Sequence, residues 1–304
     1  MIRPDAGRFL QLDAIAALQN MRFTTRQRIE GNYSGRHVSR QQGGSGEFAD
    51  YREYTPGEDL RRLDWRVMAR IGRAYVKRFQ DETNLVCTIA IDASESMRFG
   101  ADRSGDGNSG SKIEYAQYFA TALSHIVSIG RDQVGLAIAN DGLQEYLAPG
   151  CTSDHIARLH ELTEQIQTTG KTNLDLGLDQ LFQRVGRRGV LLLVSDFLID
   201  EIDKVFSMLR LFRHRGWDVV LLHLVHPDEE SLPSGKAFEF EGMEGEGSLL
   251  CSPAEVADLY RENFQQHLKA VRTLSLSSGC EYRLVSTATP YLRTLGGFLV
   301  ERTG

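Results

Sequence analysis

The stretch "LVCTIAIDASES", from Leu85 to Ser96, joins a continuous apolar run to a turn in which oxygen-bearing side chains alternate. Continuous apolar runs of this length are typical of strands in parallel sheets, because helices cover both of their faces. Ligands of open parallel sheets bind outside the carboxyl ends of the strands. The stretch therefore predicts a central strand and, directly after it, a binding site.

Four further apolar runs alternate with segments whose apolar residues recur at helical spacing. The predicted strands are residues 85–91, 134–139, 189–195, 217–225 and 281–285. The helical stripes run from Ile113 to Val127, Leu174 to Val185, Ile202 to Phe212 and Val256 to Val271. Regular alternation of this kind predicts an α/β fold with a doubly wound, mainly parallel sheet.

Residues 1–82 do not follow the alternation and are predicted to form a separate N-terminal region rich in Arg and aromatic residues. Residues 83–304 are predicted to form the α/β domain, with an inserted loop at about 226–252 that contains a hairpin, "AFEF" against "SLL". Between Arg36 and Arg78, nine Arg and one Lys face six acids, so this segment has a charge of +4 and the rest of the chain −10. A basic segment is thus attached to an acidic body.

The chain has 304 residues, of which 41% are hydrophobic and 25% charged, as in ordinary folded proteins with a sizeable core. No apolar run approaches the roughly 18 residues of a spanning helix, and the N-terminus lacks the apolar core of an export signal. We therefore expect a cytoplasmic protein. The wide spacing of the cysteines favours free, buried thiols over a zinc site or disulfides: Cys87, Cys151, Cys251 and Cys280.

Two ligand-binding patterns overlap in the loop after the central strand. Gly105, Gly107 and Gly110 form a G-x-G-x-x-G, but they lie about thirteen residues beyond the strand, too far for a dinucleotide turn. The segment "DRSGDG" resembles the start of an EF-hand loop, yet Ile113 stands where the bidentate Glu is required. A polar loop before the next helix explains both patterns better.

A third pattern has stronger support. Asp92, Ser94 and Ser96 alternate directly after the central strand, Asp196 follows a second apolar strand, and Thr172 precedes a helix. In a parallel sheet these five oxygen-bearing side chains would meet at one edge and could bind one hard divalent cation. Each residue alone has an ordinary alternative role, such as a turn or helix cap for the hydroxyls and a loop acid for Asp196. Order and strand placement together favour metal binding.

This constellation resembles the metal-ion-dependent adhesion site of von Willebrand factor A domains. Upstream, "GEFADYREYTPGEDLRRLDWRVMARIGRAYVKRFQDE" resembles the signature block of the bacterial family named domain of unknown function 58, which makes residues 1–82 family-specific. The resemblance implies a von Willebrand factor A-like fold and a site that holds Mg²⁺, with Mn²⁺ or Ca²⁺ left open. It also implies a non-catalytic adaptor that captures an acidic residue of a partner, a MoxR-type AAA+ ATPase or its client.

Two other functions were weighed against the adaptor. A nucleic-acid-binding role would use the Arg and aromatic side chains of residues 36–78, but the interleaved acids suit internal ion pairs better. A metal-dependent hydrolase would need an identifiable base. The "TGKT" segment lacks the first glycine of a P-loop, no G-x-S-x-G or H-E-x-x-H occurs, and His223 is predicted to lie in the core.

Overall fold

A computed structural model describes residues 7–18, 23, 47–55, 63–80, 85–100, 110–170, 172–186, 188–232, 238–243 and 247–303. The chain divides into two compact units, a larger one of Met1–Arg28 with Leu85–Gly304 and a smaller one of Ile29–Asn84. The glycine and EF-hand-like patterns rejected above rest on residues 102–107, which lie outside the described residues.

The helices of the described residues are α1 (Leu12–Ile15), α2 (Trp65–Ile71), α3 (Lys112–Ile129), α4 (Ser153–Glu164), α5 (Leu174–Arg184), α6 (Ile202–His214), α7 (Pro253–Ser277) and α8 (Tyr291–Thr303). The strands are β1 (Glu47–Glu53), β2 (Tyr75–Gln80), β3 (Val86–Asp92), β4 (Gln133–Asn140), β5 (Gly142–Gly150), β6 (Gly189–Ser195), β7 (Trp217–Val225), β8 (Phe238–Glu241), β9 (Ser248–Cys251) and β10 (Glu281–Ser286).

The larger unit is built on a six-stranded sheet with the order β10-β7-β6-β3-β4-β5. All neighbouring strands are parallel except β5, which pairs antiparallel with β4. This confirms the predicted doubly wound, mainly parallel α/β fold. The register places Ile91 beside Ile138 of β4 and Val194 of β6. The carboxyl ends of β3 and β6 therefore lie side by side.

Apolar side chains fill both faces of this sheet. One layer includes Phe119 and Leu123 of α3 with Phe298 of α8, and the other includes Phe206 of α6 with Trp217 at the start of β7. The central strands are buried along almost their whole length, which explains why they are continuously apolar. Helix α3 is itself buried over 15 residues, so its N-terminus is anchored beside the sheet edge.

Among the described residues of the larger unit, the elements α1, α4 and β5 were not predicted. Strand β5 is an edge strand whose residues are mostly half-buried or exposed, so it lacks the apolar run that marks the central strands. Helix α4 buries only four residues and is otherwise polar. The larger unit also contains the small antiparallel sheet of β8 and β9, within the segment where a hairpin was expected.

In the smaller unit, β1 and β2 form an antiparallel pair and α2 is capped by Asp64, whose carboxylate accepts from the N–H groups of Arg66 and Val67. Gly72 ends α2 in the left-handed conformation that glycine adopts without strain. No helix in the described part of the chain is long and apolar enough to cross a membrane.

Two sequence expectations concern single buried side chains. His223 is buried in β7 and its Nδ1 lies 2.9 Å from the Tyr282 hydroxyl, which confirms its place in the core. All four cysteines are free; Cys87 and Cys280 are buried, whereas Cys151 is exposed. Burial raises the pKa of the Cys87 thiol to about 12. The buried thiols therefore act as small apolar side chains.

Replacing Leu192 by Ala should lower the free energy of unfolding by about 2–5 kcal/mol, because Leu192 is fully buried in β6 and its loss leaves a cavity. Leu259→Ala is the matched control, since Leu259 is 61% exposed on α7 and should change stability by less than about 0.5 kcal/mol. Urea unfolding followed by circular dichroism measures both. Equal effects of the two substitutions would contradict this description of the core.

Candidate metal centre

Asp92 is the last residue of β3, and its side chain is completely buried. Its Oδ1 accepts the backbone N–H of Ser94 at 3.0 Å, and its Oδ2 accepts the hydroxyl of Ser195 at 2.7 Å. The first bond closes the turn that begins the D-x-S-x-S segment, and the second joins β3 to the end of β6. Asp92 is therefore held in place by two adjacent strands.

Asp196 follows β6 directly and is 3% exposed. Its Oδ1 accepts the N–H of Leu198 at 3.1 Å, while the N–H of Phe197 bonds to the Ser195 hydroxyl at 2.9 Å. Phe197 has a φ of 54°, the left-handed region that non-glycine residues occupy at a cost of about 1–3 kcal/mol. The buried Phe197 ring and the two bonds compensate for this strain. The turn keeps the Asp196 carboxylate at the sheet edge.

The three predicted hydroxyls lie between and beside the two carboxylates. The Oγ atoms of Ser94 and Ser96 are 3.0 Å apart, and Thr172 Oγ1 lies 3.5 Å from Asp92 Oδ1. Hydrogen bonds from Ser94 to Asp92 and from Ser96 to Asp196 lower the pKa of each carboxyl. The structure thus brings all five predicted side chains together at one edge of the sheet.

Thr172 reaches the site because its loop is tied to the D-x-S-x-S turn. The N–H of Glu95 donates to Gly170 O at 3.1 Å, and the N–H of Thr169 donates to Ala93 O at 3.1 Å. The N-cap of α5 is Asn173 and not Thr172, so the capping role considered for Thr172 is not the one it has. Its hydroxyl is turned toward Asp92.

The donor set fits a hard divalent cation. It consists of two carboxylates and three hydroxyls, all oxygen, and lacks the nitrogen and sulfur that softer metals prefer. Adjacent ligands of an octahedral ion with bonds of about 2.0–2.1 Å lie about 2.9 Å apart, and the Ser94 and Ser96 hydroxyls are 3.0 Å apart. Among the described residues, no group of three or more His, Cys, Asp and Glu side chains is arranged to hold a metal.

The two carboxyl groups differ in their electrostatic surroundings. Burial and the negative charge of Asp196 raise the pKa of Asp92 to about 6, although the hydrogen bonds from Ser195 and Ser94 act in the opposite direction. For Asp196, burial acts in the same direction, but the ammonium of Lys112 and several hydrogen bonds hold its pKa below the ordinary value. Among the described residues, Asp196 is therefore the carboxylate paired with a cation, whereas Asp92 accepts from neutral donors.

Three further residues of the site were not predicted from the sequence. Lys112, the first residue of α3, places its Nζ 2.6 Å from Asp196 Oδ2 and 2.5 Å from Glu229 Oε1. No motif marks Ser195 in the sequence, and Glu229 lies within the segment predicted to be an inserted loop, at about 226–252. The one usable signal for Ser195 was its position next to Asp196 at the end of an apolar strand.

Comparisons with known sequences identify the larger part of the chain. The model of the family described as "Protein of unknown function DUF58" matches residues 50–273. Uncharacterized proteins of Mycobacterium bovis and Mycobacterium tuberculosis are each 28% identical over 186 residues, 60% of this chain and 57% of the relative. The chain thus spans little more than half the length of the curated relatives it matches.

Several solved structures resemble the chain at low sequence identity. BatB from Bacteroides thetaiotaomicron has a TM-score of 0.47 and 14% identity, covering 72% of this chain and 98% of that one. An aerotolerance-related membrane protein from Bacteroides fragilis has a TM-score of 0.46 and 17% identity, covering 71% and 99%. The SpRpn10 VWA domain has a TM-score of 0.39 and 12% identity, covering 70% and 94%.

Replacing Asp92 by Asn should remove a pH dependence of stability in protein treated with a chelator. The folded-state pKa of Asp92 is raised from 3.8 to about 6, so between these values only the folded chain retains the proton. Its contribution to stability is complete below about pH 4 and is lost as the pH rises through about 6. The free energy of unfolding of the wild type should therefore fall by about 1–3 kcal/mol relative to Asp92→Asn between pH 4 and 7.

Urea titrations of both proteins across this range measure the difference. Carboxyl groups remote from the Asp92–Asp196 pair titrate in both proteins and cancel, so the difference reports the pair. Two curves that stay parallel from about pH 4 to 7 would show that Asp92 ionises without cost in the folded chain.

Proposed function

Since the chain belongs to the DUF58 family, we propose that it is a non-catalytic protein-interaction module that binds a divalent cation and captures an acidic residue of a partner. The ligands are Asp92, Ser94, Ser96, Thr172 and Asp196. The supporting observation is the convergence of these five oxygen-bearing side chains, from three separate turns, at one edge of the sheet.

The residues of the site have distinct tasks in this proposal. Asp92 and Asp196 supply two negative charges, which balance a divalent ion, while the hydroxyls fill further positions without adding charge. When bound, the cation supplies a Lewis-acidic vertex for a carboxylate of the partner. Access is from the side of Thr172, which is half-buried, since both carboxylates are closed off from solvent.

The surface beside this opening suits a polypeptide partner. A cleft of about 320 Å³ adjoins Ala93 and Thr169, and its lining combines the amide side chains of Asn140, Gln144, Gln165 and Gln167 with apolar side chains and Glu145. Amides donate and accept hydrogen bonds without charge, as a polypeptide backbone requires. An acidic side chain of the partner would then reach the cation while neighbouring residues of that partner lie in the cleft.

Mg²⁺ is the ion that the family resemblance implies. The donor set of carboxylate and hydroxyl oxygens also suits Mn²⁺ or Ca²⁺, which are the alternatives.

The engagement of every carboxylate at the site supports a non-catalytic role. Asp92 accepts from Ser94 and Ser195, Asp196 accepts from Leu198 and Lys112, and Glu229 accepts from Lys112. A general base needs an oxygen or nitrogen directed at the substrate. In the proposed role the remaining lone pairs of Asp92 and Asp196 face the cation, so neither carboxylate is left to act as a base. The partner proposed from the family resemblance is a MoxR-type AAA+ ATPase or a client that it remodels.

Removing one carboxylate ligand should weaken metal binding. Isothermal titration calorimetry with Mg²⁺ and Mn²⁺ should give binding to the wild type and at least about tenfold weaker binding to Asp92→Asn, which lacks a ligand charge. Asp141→Ala is the matched control, because Asp141 is an exposed acid next to β4 at the same sheet edge and bonds to Asn173. Equal affinities of the wild type and Asp92→Asn would refute the assignment of the ligands.

Partner capture should depend on the metal. The wild-type chain, immobilised with Mg²⁺, should retain a MoxR-type ATPase from the same cell and release most of it when a chelator is added. Asp92→Asn should retain little, and Asp141→Ala should behave like the wild type. Retention that survives both the chelator and Asp92→Asn would show that the interaction does not use the metal.

A further inference from the structure

Lys112 is a fully buried lysine at the edge of the candidate metal centre. Its ammonium contacts Asp196 Oδ2 at 2.6 Å and Glu229 Oε1 at 2.5 Å, and it lies 5.8 Å from the centre of the Phe99 ring. Lysine is almost never completely buried unless it is paired. The charge of Lys112 is thus one of the electrostatic components of the site.

The surrounding groups keep Lys112 charged. Burial alone would disfavour the ammonium, but the carboxylates of Asp196 and Glu229 outweigh it and raise the pKa of Lys112. Glu229 is itself fixed, because its Oε2 accepts the N–H of His226 at 2.7 Å and its backbone oxygen accepts the Tyr260 hydroxyl at 2.8 Å. The ammonium is therefore held in one position and is shielded from solvent.

We propose that Lys112 is a tethered cation that shares Asp196 with the divalent ion and thereby limits the affinity of the site for metal. This inference rests on the proposed function and names how that site is regulated. Glu229 moderates the effect, because its carboxylate also contacts the ammonium, at 2.5 Å, and offsets part of the positive charge beside Asp196.

The charges of the cluster give the direction of the effect. Asp92, Asp196 and Glu229 contribute −3 and Lys112 contributes +1, so the cluster carries −2. Asp196 Oδ1 already accepts from Leu198, and Oδ2 accepts from the ammonium, so a divalent ion bound to Asp196 lies close to a second positive charge. At distances of a few ångströms inside a protein, such repulsion weakens binding substantially.

The same charges affect the captured partner. With Lys112 present, a divalent ion brings the cluster to zero, and an incoming carboxylate meets no net negative charge. Without Lys112 the loaded cluster would carry −1 and would repel that carboxylate. Lys112 thus lowers the affinity for the metal. In the metal-bound state it also removes the negative charge that would repel the partner's carboxylate.

Three variants test the inference by calorimetric titration with Mn²⁺ and Mg²⁺ at fixed ionic strength. Lys112→Met leaves −3 when all three carboxyl groups are ionised, so the titrations are run at about pH 8, where this variant should bind metal about tenfold more tightly or better. Glu229→Gln leaves −1 and should bind about tenfold more weakly. The double variant returns the cluster to −2 and should lie between the two single variants, near the wild type.

Circular dichroism and thermal unfolding in the presence of a chelator establish which variants are folded. A folded Lys112→Met with unchanged or weaker affinity overturns the inference, and so does Glu229→Gln with unchanged or tighter affinity. If Lys112→Met does not fold, Glu229→Gln decides alone. If the wild type binds no metal, the proposed function fails. In that case Lys112→Met decides the inference: metal binding gained by this variant supports it, and no binding overturns it.

Discussion

Two carboxylates buried side by side at the ends of β3 and β6 are the constraint on which this structure depends. Taking an ionised carboxylate out of water costs several kcal/mol unless hydrogen bonds or an opposite charge compensate for it. The chain compensates at both residues, with Ser195 and the Ser94 N–H at Asp92 and with Lys112 and the Leu198 N–H at Asp196. The loops after β3 and β6 supply the N–H donors among them.

The sheet and the loops contribute in different ways to this arrangement. The register of β3 against β6 fixes the distance between the two acids, because five pairs of adjacent residues would have to shift together to change it. The loops are fixed more weakly, by single bonds such as that from Glu95 to Gly170 and by the left-handed turn at Phe197. A rigid pair of charges is thus combined with hydroxyls that adjust more easily.

Local sequence patterns predicted the central strands and the acids at their ends. Burial on both faces forces the central strands to be continuously apolar, so their ends, and with them Asp92 and Asp196, could be located. Edge strand β5 has no such pattern. The contacts of Lys112 with Asp196 and Glu229 span 84 and 117 residues, and a lysine at the start of an amphipathic helix ordinarily lies in solvent. Only the packed structure reveals that this one is buried.

Asp92 and Asp196 differ in the charges that surround them, and this difference indicates where a cation would enter the site. Asp196 is stabilised as an anion within the chain, by an ammonium held in place through Glu229. Among the described residues, Asp92 accepts from hydroxyl and amide donors, and burial together with the negative charge of Asp196 raises its pKa. Asp92 lies on the side of Thr172, where the cluster opens toward the surface. In the proposed function, a cation entering there would neutralise Asp92 and would couple metal binding to stability through one residue.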